Sequence, residues 1–190
     1  MTFELLTPTA AKLTSVNCRS EMHGKDAVPA VDLRLAFDAP NSVLSMFDGW
    51  LLSALYHRAG PDQPSDPQGQ IEGVEAISDV PNLRMPHLAS PVRWSKEYTG
   101  YELTFDFGIG GKSNITLTDC QVNSVQFAPK EGGTVEVGVR VQCSKGLTEK
   151  ILGKLATLVQ HDVQFTLRAP EVAQEQIEQR TPEEALAGAV

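Results

Sequence analysis

The sequence predicts an α+β domain, a mainly antiparallel β-sheet carrying two helices, ahead of a flexible acidic C-terminal tail. Three observations support that class. From Thr134 to Gln142 the chain sets Val135, Val137, Val139 and Val141 at period two, the mark of a half-buried strand. Between Leu147 and Gln160, Leu147, Ile151, Leu155, Leu158 and Val159 recur at helical spacing, and Val163 to Leu167 reads as a second strand. An echo lies 104 positions upstream, with Val31 matching Val135. There Val31, Leu33, Leu35 and Phe37 alternate, and Val43, Phe47, Leu51, Ala54 and Leu55 repeat the helical stripe, with Gly49 falling where Gly153 does. The echo fits either chance similarity between two amphipathic strand–helix segments or a duplicated strand–helix unit.

Taken in order, residues 3–18 are extended and 17–29 form a polar loop leading into a strand from Ala30 to Phe37. Asp38 to Ser42 stops that strand and offers a helix cap at Asn41 or Ser42. The helix expected from Val43 to about Arg58 has a broad apolar face. That breadth suggests burial on two sides, or a subunit contact through Leu44, Trp50 and Leu52 in a homo-oligomer. Residues 59–81 are rich in Gly, Pro, Asp and Gln and read as an exposed loop, with a short strand near 71–77. Pro86 and Pro91 make 83–94 an edge strand or irregular chain. A meander follows, with strands at 98–107, 115–118 and 122–127. The domain spans 1–168 and the tail 169–190, with a short surface helix near 171–179.

A chain of 190 residues is long enough to bury about 70% of its unfolded surface. With 41% apolar residues and a mean hydropathy of -0.18 it has the composition of a globular protein. No apolar run approaches the roughly 20 residues that span a bilayer, and the first residues lack the basic start and apolar core of a signal peptide. Cytoplasm and no membrane partner are the expectation. Cys18, Cys120 and Cys143 form no closely spaced pair, so neither a disulfide framework nor a structural zinc site with His23 is indicated. The net charge is -8, and the last 22 residues carry five glutamates and one arginine, half of that excess. Such a balance argues against a broad basic surface for duplex DNA.

No motif supplies chemistry. Gly108-Ile-Gly-Gly-Lys112-Ser113 imitates a phosphate-binding loop, but Asp106 stands where the first glycine belongs and the following residues are strand-like. A hairpin turn is the better reading. His23, His57, His87 and His161 are isolated, and Asp62/Asp66 and Glu72/Glu75 lie in the polar loop as solvated charge. No catalytic residue, metal ligand or cofactor is therefore expected. The one constellation suited to binding is Arg93, Trp94, Lys96, Tyr98 and Tyr101, preceded by Arg84. Cations interleaved with aromatic rings suit single-stranded nucleic acid, where bases stack and phosphates meet Lys or Arg. The competing reading is a strand with its rings in the core and its cations in water.

At Leu13-Thr-Ser-Val-Asn17, His23-Gly-Lys-Asp26, Val28-Pro-Ala-Val-Asp-Leu33, Gly132-Gly-Thr-Val-Glu136 and Val141-Gln-Cys143 the chain resembles a group of small tailed-bacteriophage and prophage proteins. The resemblance covers roughly residues 5–168, and no activity or site residue comes with it. It implies a phage or prophage setting beside replication and recombination genes. The expectation is a non-enzymatic accessory protein that binds single-stranded DNA or a DNA-processing protein. An effector that binds and inhibits a host protein stands as the alternative, and a virion component as a third.

Overall fold

The computed structural model describes residues 3–58, 78–88, 90–107 and 113–170. In chain order the strands are β1 (Leu5–His23), β2 (Asp26–Pro40), β3 (Tyr56–His57), β4 (Asn82–Leu83), β5 (Val92–Trp94), β6 (Tyr98–Asp106), β7 (Ile115–Lys130), β8 (Thr134–Cys143) and β9 (Asp162–Arg168). Two short α-helices join them, α1 (Leu51–Leu55) and α2 (Glu149–Thr157), with a 3₁₀ turn at Asn41–Met46. The strand expected near 71–77, the connector at 108–112 and the helix expected near 171–179 lie outside the described residues.

The sheet is not open. Its order β6-β9-β1-β2-β8 is completed by β7, which pairs with both β8 and β6, closing a six-stranded antiparallel barrel. Strands hold 58% of the described residues, so the α+β expectation is corrected to a β-barrel with small helical appendages. Closure leaves no free edge along the ring. Inside it stand the alternating residues Leu33, Leu35, Phe37, Val137, Val139, Val141, Leu103, Phe105, Phe165 and Leu167, all nearly or wholly buried. The period-two pattern thus reports the inner face of a ring.

Two long strands, β7 and β1, contain bulges that interrupt their alternation. In β7 the inward set is Ile115 and Leu117, then Cys120 and Val122, then Val125 and Phe127. Each break in phase coincides with a positive-φ residue, Asp119 (φ 58) and Ser124 (φ 50), and with a register shift against a neighbour. An inserted residue of this kind turns the following side chains to the other face. The two strands expected at 115–118 and 122–127 are therefore one. In β1 the shift falls between Leu13 and Ser15, at Thr14. The polar loop expected at 17–29 is likewise a hairpin, its strands paired up to His23 and Asp26 around a two-residue turn that places Gly24 at φ 68. Both faces of this arm are largely exposed beyond Val31, where β8 stops pairing, so no apolar alternation marks it.

The two helical stripes have different fates. Thr148 accepts a hydrogen bond from the Ile151 amide and caps α2, whose Leu155 is fully buried. The upstream stripe is no continuous helix. Asp48 Oδ1 accepts a hydrogen bond from the Trp50 amide at 2.8 Å, turning the chain at Asp48-Gly49. The Tyr56 hydroxyl, held by the Lys130 and Thr134 carbonyls, then draws the chain into β3. Leu51 is only partly buried, while Phe47 takes the core position against Phe3 and Phe127, at ring separations of 4.3 and 4.8 Å. Leu44 is fully buried within the chain, leaving it no surface for a subunit contact. Leu52 is partly buried, and Trp50 is 82% exposed.

Candidate anion-binding groove

On the outer face of the barrel β2 and β8 alternate polar or small residues with the core: Asp32, Arg34 and Ala36 on one strand, Gly138, Arg140 and Gln142 on the other. Their register sets Arg34 directly opposite Arg140 and Ala36 opposite Gly138. The bulges at Thr14 and Ser124 flank this pair of strands on either side. Between them lies an open cavity of about 630 Å³. Arg34 and Arg140 line one part of it, Ala36 and Gly138 another, and Arg93 and Trp94 of β5 stand across the β7 bulge. Glu97 and Glu136 also reach the cavity. Both are engaged elsewhere, Glu97 by the Gln121 amide at 2.8 Å and Glu136 by Lys130 at 3.2 Å.

Three arginines thus share a groove on a chain of net charge -8. Arg140 is anchored by Asp32, which also accepts from Arg19 Nε at 2.9 Å and from Gln142 Nε2 at 3.1 Å. Burial opposes ionisation of Asp32. The hydrogen bonds from Arg140, Arg19 and Gln142 outweigh it and hold the carboxyl below its ordinary range. Neither Arg34 nor Arg93 has an ion-pair partner among the described residues. Like charges directly opposite in a ladder repel. Asp32 relieves that repulsion from the Arg140 side only. Next to this network the Asn123 side-chain oxygen is buried without a hydrogen-bond partner among the described residues.

The residues singled out in the sequence scatter over several environments. Tyr98 and Tyr101 are buried, 8% and 3% exposed, in edge-to-face contact with each other. Burial, with the neighbouring Tyr98 and Glu4, pushes the Tyr101 phenol up to about 12. Trp94 is half-buried, donating its indole N–H to the Tyr98 hydroxyl at 3.1 Å and packing edge-on against Phe47 and Phe127. Lys96 lies over the Tyr98 ring, 5.2 Å from its centre. Arg84 is turned away to the Ser53 carbonyl, 2.9 Å from its Nε. Only Arg93 and Trp94 of the set reach the groove. Arg34 and Arg140 were missed because each appears in sequence as the polar half of an ordinary strand alternation.

No group of three or more His, Cys, Asp or Glu side chains among the described residues is arranged to hold a metal. No helix among them is long and apolar enough to cross a membrane. Comparison with family models, curated proteins and solved structures gives no match to this chain.

Proposed function

We propose that the protein is a non-enzymatic binding module that takes single-stranded nucleic acid along its outer groove, holding phosphates with Arg34, Arg93 and Arg140. The observation that carries this reading is the facing pair Arg34 and Arg140, one member of which has no counter-charge among the described residues. A phosphate between them supplies that charge, and guanidinium groups match phosphate geometry through paired donors. The cavity has the dimensions of a small-ligand site. Ala36 and Gly138 leave room for the backbone to approach. The contacts are electrostatic, because Tyr98 and Tyr101 are buried in the core and Trp94 is half-buried against Tyr98, Phe47 and Phe127. A role beside replication or recombination proteins in a phage-infected bacterial cell fits the sequence resemblance.

A second reading, capture of a host protein, has one observation in its favour. Trp50 is 82% exposed, and Met85 and Leu88 are exposed at 48% and 43% on the segment that bonds back to Leu55 of α1. Exposed apolar side chains of this size suit a protein partner better than a phosphate backbone. Fluorescence anisotropy with a labelled single-stranded oligonucleotide separates the two. Binding at low salt that weakens as salt rises is expected. An absence of binding at low salt overturns the nucleic-acid reading and leaves the second in front.

A further inference from the structure

Two of the three cysteines meet inside the barrel wall, and the arrangement depends on a backbone irregularity. Were β7 regular, the alternation Ile115, Leu117 would bring Asp119 inward next. The positive-φ bulge at Asp119 resets the phase, and Cys120 turns inward in its place. The pairing of β7 with β8 runs Val122 to Val141 and Gln121 to Gln142, and one step further sets Cys120 beside Cys143. Side chains opposite one another on antiparallel strands have Cβ atoms about 4.5–5.5 Å apart, and a disulfide asks for about 3.5–4.5 Å. Both sulfurs sit over the same bulge. Cys120 Sγ is 3.4 Å from the Leu117 carbonyl, and Cys143 Sγ reaches across to the Thr118 carbonyl at 3.5 Å. Cys143 is the last residue of β8, 3% exposed, and leads into the exposed residues Lys145 and Gly146. Both cysteines are free thiols in the structure.

We propose that Cys120 and Cys143 are a redox pair, closing to a cross-strand disulfide when the protein meets hydrogen peroxide. Cys143 attacks first. The Cys120 contact favours its thiolate, and that same contact, together with burial, raises the Cys120 thiol. The Cys143 thiolate forms an S–O bond as the O–O bond breaks, and hydroxide leaves to become water. The Cys120 sulfur then attacks the Cys143 sulfenic acid, the S–O bond breaks, and a second water leaves with the Cys120 proton. Two thiols lose two electrons and peroxide gains them. The bond staples β8 to β7 at the seam where the barrel closes.

The test uses the full chain with Cys18→Ser, so that an exposed thiol cannot interfere. After peroxide treatment the protein is denatured, alkylated and weighed, and its peptides are mapped. The expected product lacks alkylation at both cysteines, shows a Cys120–Cys143 linked peptide, returns to two free thiols with dithiothreitol, and has a Tm raised by more than about 5 °C. In the Cys120→Ser variant the same treatment stops at a sulfenic acid on Cys143 that a 1,3-dione probe captures. The proposal is overturned if both thiols still alkylate, if Cys143 oxidises further without forming the link, or if the link forms without changing Tm.

Discussion

The run from Arg93 to Tyr101 and the pair Arg34–Arg140 are two ways of placing cations on this barrel, and they differ in what surrounds the charge. In the run the aromatic rings are structural: Tyr98 supports Trp94 through its hydroxyl, and both rings pack about Phe47. Its cations are spread, with Lys96 held over a ring and only Arg93 turned to the groove. Arg34 and Arg140 lie far apart in the chain, yet strand pairing brings them face to face over a floor of small residues. Proximity in sequence assembled a piece of core. Proximity across the sheet assembled the groove.

The largest effect that separates the two regions is on stability. Tyr98→Ala removes a buried ring and the support of Trp94, and we expect a loss of about 3–5 kcal/mol in chemical denaturation. A loss under about 1 kcal/mol would show that the ring is free to leave the core and stack on a base. Smaller, at about 1–3 kcal/mol, is the cost of Asp32→Asn, which leaves Arg140 without its carboxylate and Arg19 with Glu21 alone. This substitution carries a pH signature. The folded Asp32 carboxyl is depressed, so its contribution is complete above the unfolded value of about 3.9 and is lost as pH falls through the lower folded value. Asp32→Asn therefore flattens the acid limb of the stability curve below about pH 4 and leaves its shape at neutral pH unchanged. An unaltered acid limb would mean that Asp32 does not anchor the groove. Arg34→Ala is the smallest. An exposed cation opposite another arginine, with no ion-pair partner among the described residues, changes stability by no more than about 0.5 kcal/mol, with a slight gain as the expected direction.

How far the fold was legible follows from these same residues. Val135 to Val141 and Leu155 announced a core strand and a core helix, because burial on one face leaves a clean period. Barrel closure was invisible, since β7 reaches both β6 and β8 only by bending through Asp119 and Ser124, neither of which looks unusual in sequence. The Val43 to Arg58 stripe misled because Phe47 and Leu55 are both buried but on separate short turns, joined through Asp48-Gly49. Of the groove, Arg93 and Trp94 could be named in advance. Arg34 could not, because what distinguishes it is the residue it faces.

The central claim is that the groove, and not the aromatic run, holds nucleic acid, and salt dependence tests it most directly. Anisotropy titrations at several salt concentrations would compare wild type with Arg34→Ala, Arg93→Ala, Lys96→Ala and Gly138→Val. A Cβ at Gly138 meets nothing closer than 3.8 Å, so the valine fills the groove floor without straining the strand. We predict that Arg34→Ala and Arg93→Ala each reduce the slope of log K against log salt by about 0.7. Gly138→Val should weaken binding roughly tenfold, about 1.4 kcal/mol, and Lys96→Ala should leave the slope unchanged. A slope that falls with Lys96→Ala while Arg34→Ala and Gly138→Val bind like wild type would contradict the account.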